Sequence, residues 1–331
     1  RPPFLNVQIV FKSIVKTSCH SYRLFFTTMA ALPVPALAPA VIPTPDLHDF
    51  KYSDLFKATE DEISAIAWCQ NNGLIAKDKM CASCGSPTAL RERDTDKNKG
   101  FYFRCTLRSC RKEISVRKDT WFEGSHLRIA TIIQFVYFWC RDYVIQDELQ
   151  FQLGIVGEHT IVNWKNFCRD ICLEYFIRNP VVIGGPGQTV EIDECLLVRR
   201  KYNVGHLDRE QWVFGGYDVA TKVGFMVPVD RRDAATLLSI IQQYIAPGTT
   251  IISDLWAAYN TIGTLGYQHL TVNHSLNFVD PTTGAWQKAK RKHKQRYGTH
   301  RELLHTYLAE FMWRQRFGYS FHDFVAHVRA V

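Results

Sequence analysis

An α/β chain is the fold class that three observations predict: a mixed sheet with flanking helices, preceded by a cysteine ribbon and a helical region. The first observation is a stretch from Thr189 to Asp254 in which strand-like alternation and one helical pattern follow each other. The second is a pair of cysteine doublets, Cys81-x2-Cys84 and Cys105-x4-Cys110. The third is an aromatic, helix-periodic segment that lies between those two features, from Leu127 to Tyr175.

Length and composition set the frame. At 331 residues the chain is long enough for two or three small domains. It is 46% hydrophobic and 22% charged, ordinary values for a globular protein. The net charge of +8 favours a polyanionic partner without requiring one. Ten cysteines, four of them clustered, read as a metal site in a reducing compartment rather than a disulfide framework. No apolar run has the 18 or so residues of a membrane span.

Residues 1–45 carry no Asp or Glu and read as a disordered or spurious extension, Ala/Pro-rich from Ala30 to Pro45. The chain opens on Arg1, so Met29 is the expected native start; a basic presequence is the other reading. Residues 46–76 form a helical lead-in, with Leu55, Ile63, Ile66 and Ala67 at helical spacing from Asp54 to Asn72. Residues 77–122 form the zinc-ribbon-like domain. Cys81, Cys84, Cys105 and Cys110 can converge on one structural Zn²⁺ because short cysteine turns deliver thiolates in pairs, and Gly100 to Arg104 supplies a strand between them. Four unrelated buried thiols are the alternative. The basic residues around the cysteines, among them Arg91, Arg93 and Arg104, suit either a nucleic-acid contact or a solvated surface.

Residues 123–180 form a helical region. Leu127 to Tyr143, Gln146 to Leu153 and Glu158 to Tyr175 read as three helices, with a Gly154–Gly157 turn before the last. Helix, glycine turn and helix is compatible with a helix-turn-helix and equally with plain helical packing. Cys140, Cys168 and Cys172 fall on apolar faces as core thiols. Pro180, Gly184, Gly185, Pro186 and Gly187 mark a boundary loop.

Residues 188–318 form the core. Val190 and Ile192 alternate with Glu191 and Asp193 in the first strand. Gln211 to Val219 and Val223 to Val229 read as strands, Asp233 to Ile245 as a helix. Thr249 to Asp254 is a short strand ending in a second acid, and Tyr267 to Asn273 a fifth strand. Three strands, a helix and a fourth strand, with Asp193 on the first and Asp254 on the fourth, is the order of an RNase H-like nucleotidyl-transfer core, where paired carboxylates hold divalent metals. Each Asp taken alone is equally a strand-end or cap residue. Lys288, Lys290, Arg291, Lys292, Lys294 and Arg296 form a basic run without balancing acid, a DNA-backbone contact or a nuclear localisation signal. Leu303, Leu304, Tyr307, Leu308, Phe311 and Met312 make a helical stripe, and residues 319–331 read as a tail.

These pieces resemble the Merlin-type transposases, a cut-and-paste family with insertion-sequence relatives. The matching segments are Val190 to Glu194, Arg199 to Asn203, Gln211 to Gly216, Pro247 to Asp254, Val272 to Val279, and Gly298 to Arg301 with Tyr307 to Arg314. The resemblance implies an RNase H-like fold and a DDE mechanism on two Mg²⁺ (or Mn²⁺) ions, with Asp193 bridging both and Asp254 binding one. It further implies double-stranded DNA with terminal repeats as partner, a homo-oligomer on that DNA, and a nuclear location. One departure stands out. The family places a glutamate in a polar segment after the position of Gly284-Ala285, one helical turn before the residue matching Trp286. Here Ala285 runs straight into Trp286, and Thr283 occupies the place one turn back, so the third acid is absent. Glu191 lies on the strand face of Asp193 as a poor substitute, and Glu302 and Glu310 fall in a later segment. The expectation is a transposase by descent, catalytically impaired as written. The alternatives are a non-catalytic, domesticated zinc-ribbon and helix-turn-helix DNA-binding protein, or an active enzyme whose glutamate was lost in gene assembly.

Overall fold

The cysteine segment and the acid-bearing stretch each fold into a sheet, and helices pack against both. The structure, a computed structural model, describes residues 46–95, 98–143, 145–198, 211–272 and 301–331. The N-terminal extension, the basic tip after Val198, the Gly284–Trp286 junction and the basic run from Lys288 to Arg296 lie outside the described residues.

The smaller sheet is antiparallel, β1 (Thr88–Thr95), β2 (Asn98–Cys105) and β3 (Glu113–Ser115) in that order. Leu90, Phe103 and Ile114 are level across it, and Phe103 is buried against the helices. One residue away, Arg91, Tyr102 and Ser115 are level on the other face, where the Arg93 guanidinium stacks 4.6 Å from the Tyr102 ring centre.

The helical region begins with α1 (Tyr52–Ala58) and α2 (Glu62–Asn71). The single periodic run expected from Asp54 to Asn72 is broken at Thr59 to Asp61. Local hydrogen bonds explain the break: the Thr59 hydroxyl donates back to the Leu55 carbonyl, and Asp61 caps the next helix by accepting from the Ser64 amide at 2.7 Å. Then follow α3 (Ile129–Cys140), α4 (Gln146–Leu153) and α5 (Glu158–Arg178). Helix α3 is apolar nearly all round because it is the centre of this core. Its own N-cap, Arg128, offers no acceptor, and Glu62 of α2 does so instead, accepting from the Ile129 and Ala130 amides at 2.8 and 3.1 Å. Gly154 ends α4 in the left-handed conformation (φ 62°), which glycine adopts without cost, and Leu149, Ile155, Ile161 and Trp164 fill the angle between α4 and α5.

The larger sheet contains β4 (Thr189–Val198), β5 (Gln211–Asp218), β6 (Gly224–Val229), β7 (Thr250–Ser253) and β8 (Gln268–Thr271). Its order is β6-β5-β4-β7-β8, antiparallel from β6 to β4 and parallel from β4 to β8. The crossover to β7 runs through α6 (Ala234–Tyr244), capped by Asp233. Strand alternation divides the faces. Val190, Ile192, Phe214 and Phe225 meet Leu237 and Ile241 of α6 together with Tyr259 and Ile262. Cys195, Val213 and Met226 meet Leu304, Leu308 and Phe311 of α7 (Leu304–Phe317). A Cβ on Gly216 would stand 2.5 Å from the Phe225 ring, so the packing of β5 on β6 excludes any side chain there.

Helix α7 also presents Ala309 and Trp313 to the helical core, and so belongs to both cores. Residues 319–331 are not a tail in structure. They form α8 (Phe321–Ala330), capped by Ser320, with Phe321, Phe324, Val325 and Val328 buried in the helical core. The period of these apolar positions carried the signal, and its short length hid it.

The joint between the cores is ionic. Arg314 of α7 is buried, bonds Glu310 at 2.9 Å, and donates to the Trp139 and Cys140 carbonyls at 2.9 and 3.1 Å. Those carbonyls close α3, so the guanidinium caps a helix C-terminus as well as pairing a buried carboxylate. Arg314→Met should cost about 3–5 kcal/mol, the range for orphaning one member of a buried pair. Glu310→Gln should cost clearly less, since Arg314 keeps both carbonyls. Urea unfolding followed by circular dichroism measures both, and equal small losses would contradict the assigned role.

Candidate functional site

The two aspartates are brought together by strand register. In the parallel pairing of β4 with β7, Thr189 is level with Thr250, Val190 with Ile251 and Glu191 with Ile252. The same offset carried two residues further sets Asp193 level with Asp254. Neighbouring strands are about 4.8 Å apart, so the two carboxylates belong to one locus at the carboxyl end of β7. On the other side Asp193 is level with Gly215 of β5, which contributes no side chain to crowd it. Both aspartates are half-buried.

Local hydrogen bonds orient them. Asp193 Oδ1 accepts from the Glu194 amide at 2.8 Å, and Asp254 Oδ1 accepts from the Trp256 amide at 2.9 Å. The Ser253 hydroxyl donates to the Asp254 carbonyl at 2.8 Å and lies 2.9 Å from His269 Nε2. Glu194, on the opposite strand face from Asp193, accepts from the Tyr259 hydroxyl at 2.5 Å. Burial raises the Glu194 carboxyl above its usual range; the tyrosine bond opposes that shift and the Asp254 charge adds to it. Tyr259 is pushed far up, first by burial and then by the charges of Glu194, Asp254 and Asp193. Three carboxylates therefore act on one buried hydroxyl, and the locus carries a negative potential that suits a hard divalent cation with oxygen ligands.

Sequence reading singled out Asp193 and Asp254. It missed Arg232 as a member of this locus. Arg232 precedes α6 and lies 3.6 Å from the Trp212 ring centre and 5.1 Å from that of Trp256. Nothing in the spacing of residues 212, 232 and 256 predicts that meeting, which depends on the order of the strands in the sheet. Glu310 is committed to Arg314, and Glu302 lies in a 3-10 turn, Arg301–Leu303.

The cysteine cluster forms on the edge of the small sheet. Cys81 and Cys110 sulfurs are 3.7 Å apart, Cys84 and Cys105 sulfurs 3.5 Å, and all four lie within 4.8 Å of one another. Disulfides need about 2.05 Å, whereas tetrahedral Zn–S bonds of about 2.3 Å put sulfurs ~3.8 Å apart. The donor set fits a zinc ion. Hydrogen bonds from Ser86 bring the Cys84 thiol down to about 6, while burial pushes Cys105 up to about 12. Metal capture must therefore displace the Cys105 proton, and zinc affinity should rise with pH.

Residues 188–316 match the family of the ISXO2-like transposase domain, a span that runs from the residue before β4 almost to the end of α7. An "Uncharacterized transposase-like protein" of Haemophilus influenzae (strain ATCC 51907 / DSM 11121 / KW20 / Rd) is 28% identical over 96 residues, 27% of this chain and 78% of that protein. A chain in the cryo-EM structure of a simian T-cell lymphotropic virus intasome in complex with PP2A regulatory subunit B56 gamma overlaps at 14% identity. That overlap covers 54% of this chain and 67% of the other, with a TM-score of 0.28, too low to define a common fold. The match over residues 188–316 and the similarity to the Haemophilus influenzae protein support an insertion-sequence-like transposase family. Among the described residues no helix is long and apolar enough to cross a membrane.

Cys105→Ser should abolish zinc retention. Elemental analysis of protein purified without chelator is expected to fall from about one zinc per chain to near none, and hydrogen exchange should speed up across β1 to β3 while β4 to β8 stay protected. Absence of zinc from the unmodified protein would end the assignment.

Proposed function

We propose that this chain is a DNA transposase by descent, of the Merlin type, whose larger sheet is an RNase H-like core with Asp193 and Asp254 as ligands of divalent metal. One observation carries the reading: a sheet of order β6-β5-β4-β7-β8 in which the β4–β7 register sets the two aspartates level. The match over residues 188–316 supports it, because the matched span holds that sheet and the helix on its far face.

The reaction class is nucleotidyl transfer at terminal-repeat DNA. Magnesium or manganese, when bound, supplies Lewis-acid activation of the phosphate and of the attacking hydroxyl. The chain's own groups hold and orient. The Glu194 and Trp256 amides aim the two carboxylates, and Gly215 leaves room beside Asp193. Tyr259 keeps Glu194 engaged on the α6 side of the sheet. The basic run Lys288 to Arg296 is the proposed backbone contact, and its charge also suits a nuclear localisation signal.

The junction Ala285-Trp286 carries no glutamate, and on this reading the catalytic set is incomplete. Two clustered divalent ions repel, and each lost carboxylate weakens their retention. Misplacement of the reacting atoms by one ångström costs on the order of a hundredfold in rate. A second reading, a DNA-binding protein that no longer cuts, is favoured by the outer face of the small sheet. There Arg91, Arg93, Tyr102 and Arg104 stand on strands separate from the acidic locus.

Cleavage of terminal-repeat DNA with Mg²⁺ or Mn²⁺ tests the proposal on two proteins. The unmodified chain should be inactive. A variant with a family-like, glutamate-bearing segment between Ala285 and Trp286 should cut, and lose that activity on Asp193→Ala or Asp254→Ala. Metal-dependent cleavage by the unmodified chain, abolished by Asp193→Ala, would show that no third acid is missing.

A further inference from the structure

Beside Asp254, on the sheet face of Glu194, the chain assembles a cation between two indoles. Arg232 leaves β6 just before Asp233 caps α6, and its guanidinium lies 3.6 Å from the centre of Trp212 on β5. Trp256, two residues past Asp254, approaches the same guanidinium at 5.1 Å. Trp256 is fixed at both ends: its backbone amide donates to Asp254 Oδ1, and its indole N–H donates to the Arg232 carbonyl at 3.3 Å. Even so, Trp256 keeps 43% of its surface exposed, and neighbouring Leu255 keeps 63%.

Among the described residues the guanidinium contacts two ring faces. Among the described residues its N–H groups make no hydrogen bond and no salt bridge, although Glu194 is close enough to feel its charge. An arginine whose plane is clamped while its donor fork is unspent is preorganised for a bidentate oxyanion. A rigid, part-exposed indole one step away offers a π-face to any base. A base-stacking surface two residues past Asp254 thus stands against a phosphate reader, Arg232. A free anion would leave the indole unused.

We propose that Arg232, Trp212 and Trp256 form a clamp for one unpaired nucleotide of the DNA strand that runs past Asp193 and Asp254. Arg232 takes its phosphate and Trp256 stacks on its base, while Trp212 keeps the guanidinium flat. This proposal rests on the nucleotidyl-transfer reading and deepens it: the clamp holds a strand end that has left the duplex, so that the adjoining phosphate stays beside the two carboxylates. Stacking of this kind is tolerant of base identity, so the clamp reads strandedness rather than sequence.

The test compares two fluorescein-labelled probes, a blunt 20-base-pair duplex and the same duplex with a five-thymine single-stranded extension, each titrated in Ca²⁺ buffer with zinc-loaded protein. Unmodified protein should bind the extended probe about tenfold more tightly, within the range expected for one stacked base. Trp256→Ala and Arg232→Gln should each bring that preference to within about twofold of none. Trp256→Phe should keep most of the preference, and Arg232→Lys should lose most of it because the planar fork is gone. Circular dichroism and zinc content identify any variant that has failed to fold, and Arg232→Lys then decides in its place. A preference that survives both Trp256→Ala and Arg232→Gln overturns the clamp, as does unmodified protein that binds the two probes equally. If unmodified protein binds neither probe, the DNA reading falls and the clamp with it.

Discussion

The parallel pairing of β4 with β7 is the constraint on which the rest of the molecule turns. It is a short contact, since β7 runs only from Thr250 to Ser253. Yet it alone converts two acids sixty residues apart in sequence into one locus. Parallel strands cannot be joined by a tight turn, so the connection must cross a sheet face, and α6 makes that crossing. The crossing has a second effect. By passing Arg232 and Asp233 over the end of β5, it delivers a cation to the same edge that receives Asp254.

Long-range polar contacts tie the helices to one another and to α7, the helix that covers one face of this sheet. Glu62 caps α3 from another helix, and Arg314 closes the far end of α3 from α7. Each satisfies helix-end groups that would otherwise be buried without partners. Helix α7 also covers the sheet face on which Asp193 lies, so one helix packs both on the helical core and on the floor of the acidic locus. The zinc-ribbon-like sheet enters the same chain of contacts through Phe103, Val116 and Phe122, all buried in the helical core.

Much of this was legible in the sequence, for identifiable reasons. The strands around Asp193 and Asp254 alternate cleanly because each face meets a different helix, and the α6 pattern is a plain amphipathic stripe. The cysteine doublets announce their convergence because thiolate geometry demands paired turns. What stayed hidden depends on tertiary pairing. The break at Thr59 to Asp61 follows from side-chain bonds that compete with the helix. Helix α8 looked like a tail because ten residues after a glycine carry little periodic signal. Glu62 as a cap, Arg314 as a joint and Arg232 between two tryptophans have no local signature at all, since every partner comes from a distant segment.

The central claim is that Asp193 and Asp254 share a divalent ion. Titration of Mn²⁺ into zinc-loaded protein, with free Mn²⁺ followed by electron paramagnetic resonance, measures this without DNA or turnover. The account predicts saturable uptake by the unmodified chain, lost in Asp193→Asn and lost equally in Asp254→Asn, with zinc retained in all three. Uptake that is the same in the three proteins would contradict it, because the register that sets the two carboxylates level would then serve no metal.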